Sequence, residues 1–237
     1  MKSGLFAIAR FRGEIMRYKF ALLALVSLIL SSAASMAVAQ QEWELRRDRD
    51  GIQVYTRSVE GSPHKAVRTV TVLHAVNLAS LVALIEDAAA CPDWADRCAE
   101  SYLHERLSET ESLVYTHNDM PFPVKDRDVL ARVRWVQNPD TFEVAMTSSA
   151  TEGILDKVRG RLRLTKAEAK WNFAPQADGS VLISNEVHLD PGSSLPGWVT
   201  NMLLVDAPFE TMASFISEVR EPKYSEAELS FIQEPPK

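Results

Sequence analysis

Apolar spacing divides the chain into stretches that call for different elements. Ile52 to Thr56 and Ala66 to Leu73 repeat with period two and are joined across Gly61-Ser62-Pro63. That pattern predicts neighbouring antiparallel strands. Behind Asn77, a capping residue type, Leu78, Leu81, Val82 and Ile85 share one face of a short helix. Strand-like spacing returns over 101–107, 113–118, 129–136, 142–148, 161–173 and 181–189, between turn residues such as Asn138-Pro139-Asp140 and Ala177-Asp178-Gly179. Short connections favour an antiparallel meander, because parallel pairing needs longer crossovers.

After Asp190-Pro191-Gly192 the period changes to three and four. Trp198, Met202, Val205, Phe209, Met212, Ile216 and Val219 form one apolar stripe, which predicts a long amphipathic helix over 195–219. Ser193 or Ser194 is its expected cap, and Pro208 should kink or divide it. Past Glu221-Pro222 the composition turns charged, and 221–237 reads as a mobile tail. Roughly eight strands and one C-terminal helix predict a single α+β domain over 40–220, with room for a cavity between sheet and helix.

The first residues belong to a different pattern. A basic stretch, the apolar run Phe20 to Leu30 and then Ala37-Val38-Ala39 follow the order of a cleavable signal peptide, here 1–39. The run is too short for the about 20 residues that cross a bilayer. Met16, with Arg17 and Lys19 behind it, is a second candidate initiator. A mature protein beginning at Gln40, in the periplasm or secreted, is the expectation. In that compartment Cys91 and Cys98 can pair if the chain brings their Cα atoms within about 7 Å; otherwise they are two small buried hydrophobes.

Charge narrows the range of partners. The precursor carries 26 basic and 32 acidic residues, and loss of the leader's five basic residues and Glu14 leaves 21 against 31. So acidic a domain is poorly suited to nucleic-acid phosphates. Neither the five histidines nor the two cysteines have metal-ligand spacing. Gly192-Ser193-Ser194-Leu195-Pro196-Gly197 is neither a phosphate loop nor a nucleophile elbow. No cofactor is expected.

Four groups of residues carry a resemblance. They are Trp94 shortly before Cys98, the run Pro121-Phe122-Pro123-Val124-Lys125-Asp126-Arg127-Asp128, Trp171 in a late strand, and Asp190-Pro191-Gly192-Ser193-Ser194-Leu195-Pro196-Gly197-Trp198 leading into Asn201. In this order, from Trp43 to Val219, the chain resembles the START family of lipid-transfer-related domains, specifically its exported bacterial members. The resemblance implies a helix-grip fold, a curved antiparallel sheet wrapped around the long C-terminal helix. It also implies a tunnel for a lipid, sterol or other apolar molecule, bound or moved without reaction. A monomer with at most transient membrane contact is expected. The candidate ligand-binding residues are Trp94, Phe122, Arg127, Trp171, Glu186, Trp198, Met202, Val205, Phe209 and Met212.

Arg127 has two readings. Its guanidinium could hold an anionic or zwitterionic lipid head with two aligned hydrogen bonds, or form an internal ion pair with Asp126 or Glu186. Residues 120–126, rich in proline, are the candidate loop that moves to admit a ligand. Two other functions stand beside the carrier: an enzyme of this fold using Arg127, Glu186 and His188 on an apolar substrate, and a structural protein whose helix completes its core.

Overall fold

The computed structural model describes residues 42–236, so the expected signal peptide lies outside the described residues. Ten strands run in chain order: β1 Glu44–Arg49, β2 Ile52–Val59, β3 Ser62–Leu73, β4 Cys98–Arg106, β5 Glu111–Asn118, β6 Arg127–Gln137, β7 Val144–Ala150, β8 Leu162–Arg163, β9 Ala167–Pro175 and β10 Val181–Leu189. They form one sheet in the order β1-β2-β3-β10-β9-β7-β6-β5-β4, with β8 beside β6. Pairing is antiparallel except for the short parallel β6–β8 contact. The polar segment before Asp50, where spacing predicts no strand, becomes β1 because Asp50 and Gly51 both take positive φ and fold it back on β2. The expected strand over 161–173 divides into β8 and β9.

The meander breaks after β3. Helix α1 (Leu78–Glu86), a 3₁₀ turn (Ala88–Ala90) and the short α2 (Cys91–Trp94) carry the chain to the far edge of the sheet. β3 therefore pairs with β10, and β4 becomes an edge strand. This crossover also corrects the expected sheet geometry. The sheet does not wrap around the helix: β1 and β4 remain as two separate edges that do not pair, and the helices cover one face of an open sheet.

The C-terminal helix is built in three parts: α3 (Gly197–Asn201), a π-helical turn (Met202–Asp206) and α4 (Ala207–Glu218). The Ala207 N–H bonds to the carbonyl of Met202, five residues back. Pro208, which has no N–H, comes next in the first turn of α4, so the helix absorbs it without ending. One extra residue in a turn rotates the remainder of the helix by about 100°. The stripe is therefore not continuous: Trp198 is 55 % exposed, while Phe215, outside the expected stripe, is buried with Phe209 and Met212.

Val54, Val67, Trp135, Met146, Trp171, Phe173 and Ile183 form the sheet side of the core, against α1 and α4. The segment from 221 is not a free tail. Pro222–Ser225 forms α5, and Leu229, Phe231 and Ile232 pack against the core. The Glu234 carboxylate accepts the amides of Leu78 at 3.0 Å and Ala79 at 2.8 Å, capping α1 in place of Asn77, whose side chain makes no cap bond. Charged composition alone missed these three apolar side chains, which pack on the core.

Candidate functional site

Strand register sorts the inner face of the sheet by side-chain size. One row reads Val54, Thr69, Asn185, Trp171, Met146 and Trp135 across β2, β3, β10, β9, β7 and β6. The next reads Thr56, Val67, Val187, Ala169, Ser148 and Val133, and beyond it come Leu189 beside Ala167 and Ala150 beside Ala131. Bulky aromatics fill one end of the interior; alanine and serine leave the other end thin. Asn185, Val187, Ala169 and Ser148 are only half-buried there. On the outer side of the sheet at this end, a cleft of about 480 Å³ opens where the β2–β3 turn and the ends of β7 and β10 meet residues 165–168, and Ser62, His64, His188 and Asp190 give it a polar lining.

Arg127 stands at the same end. Alternation with Val133 and Trp135 places it on the inner face, and it is 4 % exposed. Among the described residues it has no ion pair: Asp126 is held by His117 at 3.0 Å and by the Met120 amide, and Glu186 by Arg68. Its guanidinium donates to the carbonyl of Lys125, the carbonyl of Pro191 at 3.4 Å and the Ser193 hydroxyl at 3.1 Å. Burial pushes Arg127 below its ordinary value, opposed by the charge of Asp126. The Ser193 hydroxyl is thus occupied by Arg127, and α3 begins after Pro196 with no side-chain cap. Gly192 makes this segment possible: its φ is +74°, and a Cβ there would run into the Leu162 side chain.

Behind Arg127, on the outer face, lies a buried ion pair. Asp128 accepts two hydrogen bonds from Arg163, each 3.0 Å, and one from Tyr115 at 2.9 Å. Burial acts to raise the Asp128 carboxyl, but these bonds and the charges of Arg163 and Arg161 outweigh it and hold the group below the usual range. Arg163 also donates to the carbonyls of Leu155 and Asp156. The pair therefore fastens β8 and the loop before it to β6, next in sequence to Arg127.

Trp94 closes the interior on the helix side. Its ring meets Trp171 edge-on at 6.1 Å and Phe215 at 5.4 Å. Cys91 and Cys98 are joined, with Cα atoms 6.0 Å apart, and bracket this tryptophan. The Asp96 amide donates to Thr211 of α4, and the Asp119 amide to the Arg97 carbonyl, so the bracketed turn ties α4 to the 120–126 loop.

Of the residues expected at a ligand site, Trp94, Trp171, Phe209 and Met212 meet in the core, and Val205 is buried in the π-helical turn. Met202 is half-buried. Phe122, 94 % exposed, and Trp198 face solvent. Glu186 lies on the outer face, paired with Arg68, and His188 bonds to Ser62 there, so Arg127, Glu186 and His188 do not converge. Sequence reasoning missed Thr56 and Thr69, whose buried hydroxyls have no partner among the described residues. Their signal was a polar residue at an inward strand position.

An open antiparallel sheet with a long C-terminal helix across one face defines a helix-grip architecture. The START domain profile matches residues 27–210, and the chain belongs to that family. An uncharacterized protein of Pseudomonas aeruginosa is 34 % identical over 172 residues, 73 % of this chain and 84 % of that protein. A STAR-related lipid transfer protein from Xanthomonas axonopodis, in a crystal structure of its fragment 25–204, is 31 % identical with a TM-score of 0.67, covering 76 % of this chain and 99 % of that one. Human StAR-related lipid transfer protein 5, 14 % identical over 88 % of this chain and 98 % of its own, shares the fold with a TM-score of 0.68.

Proposed function

We propose that the protein is a non-catalytic carrier or sensor that holds a lipid or other hydrophobic small molecule between the thin end of the inner sheet face and the C-terminal helix, in the periplasm or outside the cell. The observation that carries this reading is Arg127: a buried guanidinium with no carboxylate partner, beside half-buried small side chains, is suited to an anionic or zwitterionic head. The lipid-transfer name of the relative from Xanthomonas axonopodis supports it. Removing apolar ligand surface from water at about 25 cal/mol per Å² supplies the driving force. Exposed Phe122 and Trp198 are suited to brief membrane contact while the 120–126 loop and α3 move aside. The enzyme alternative lacks a supporting observation, because its three residues lie on opposite faces of the sheet.

The test is native mass spectrometry of protein gently extracted from its host, then binding measurements on Arg127→Met. A co-purifying lipid is expected, with Arg127→Met losing ligands with anionic heads and keeping neutral ones. Absence of any apolar ligand, or equal affinities in parent and variant for both classes, refutes the corresponding part of the reading.

A further inference from the structure

Four buried side-chain polar atoms have no hydrogen-bond partner among the described residues: Thr56 Oγ1, Thr69 Oγ1, Trp94 Nε1 and Arg127 Nε. All four belong to the interior. Thr56 and Thr69 alternate with Val54 and Val67 of the core, Trp94 packs on Trp171 and Phe215, and Arg127 shares a face with Val133 and Trp135. A buried polar group without a partner is costly, and folded proteins keep few of them. Four facing one interior call for a common explanation.

Their chemistry has a direction. An indole N–H and a guanidinium N–H can only donate, and a threonine hydroxyl donates as readily as it accepts. None of the four is an obligate acceptor. A group that satisfies them must therefore bring hydrogen-bond acceptors, of which the carbonyl oxygen of an acyl group is one and which a hydrocarbon or an ammonium cation does not supply.

Resting on the lipid-binding reading above, we infer that the ligand is an acylated amphiphile, and that Trp94 Nε1 donates to a carbonyl oxygen in its apolar part, separately from any head held by Arg127. Trp94 is suited to this role because the joined Cys91–Cys98 turn and the Asp96–Thr211 hydrogen bond fix its ring against α4. Its N–H is thereby a preorganised donor in a dry, aromatic wall, where one hydrogen bond discriminates well between an ester and a plain chain. Thr56 and Thr69, diagonal neighbours on β2 and β3, offer a second pair of donors to further oxygens.

The experiment compares two neutral probes of similar length, methyl laurate and tridecane, by displacement of a fluorescent apolar dye from the mature protein. Neither needs Arg127, so a head-group effect does not enter. The parent should favour the ester about tenfold, the ratio that corresponds to one net hydrogen bond. In Trp94→Phe, which keeps a ring against Trp171 and Phe215, that preference should fall within about twofold while tridecane affinity is retained. A measurement on the parent alone guards against a variant that does not fold: the Trp94 indole N–H resonance should shift with methyl laurate and stay in place with tridecane. Equal affinities in the parent, an unmoved indole resonance, or a preference that survives Trp94→Phe overturns the inference while leaving lipid binding standing. If neither probe binds, both fall together.

Discussion

Replacing Arg163 by Met should destabilise the protein severely at neutral pH and less so in acid. The side chains of Asp128 and Arg163 are 1 % and 5 % exposed, and Arg163 supplies two of the three hydrogen bonds to the carboxylate. Without it Asp128 is a buried charge held by Tyr115 alone. Removing one partner of such a pair costs about 3–5 kcal/mol, a large share of the about 5–15 kcal/mol that stabilises a typical domain. For a chain of this size each kcal/mol moves the thermal midpoint by about 2–4 °C, so a drop on the order of 6–20 °C is expected. The pH dependence has a definite sign. In the parent the Asp128 carboxyl lies below its ordinary value, so its contribution is present above the unfolded-state range near pH 4 and is lost as pH falls through the folded value. In Arg163→Met the Tyr115 bond and the charge of Arg161 remain without the paired guanidinium, burial favours the neutral acid, and acidification relieves the penalty. The gap between parent and variant should thus narrow from pH 7 to pH 4, read by thermal unfolding in parallel buffers. Adding Asp128→Leu to the variant should recover much of the loss, because the isolated charge is then gone. A midpoint within about 2 °C of the parent at pH 7, or a gap that does not change with pH, refutes the reasoning.

Gly192→Ala should cost more than about 1 kcal/mol, since φ +74° strains any residue with a Cβ and the Leu162 side chain would have to shift to admit it; urea unfolding measures it. Glu234→Ala should cost about 0.5–2 kcal/mol through loss of the α1 cap, and truncation after Ser225 should cost more by also uncovering the core beneath Leu229, Phe231 and Ile232. Intact-mass analysis of exported protein after alkylation without reductant should find no labelled cysteine, and two labels would show that Cys91 and Cys98 are free. N-terminal sequencing of the same material should begin at Gln40.

Local pattern determined much of this molecule. Period-two spacing located most of the strands because a residue's face on a sheet depends only on its parity, and the 3–4 spacing of Phe209 and Met212 located the final helix. Motif order from Trp43 to Val219 was enough to suggest the family that the profile match shows. Tertiary structure decided what depends on partners distant in sequence. The crossover through α1 and α2 set β3 beside β10 and left the sheet open. The π-helical turn changed the phase of the helix, so Trp198 faces outward and Phe215 inward. Both faces of β6 are buried at its start, because the loop before β8 covers Asp128 and Leu130 on the outside while Arg127 is buried on the inside. Glu234 and Leu78 lie 156 residues apart, and only the folded chain makes one the cap of the other. Spacing reports which way a side chain points; what it meets there is set by the packing of elements that no local pattern encodes.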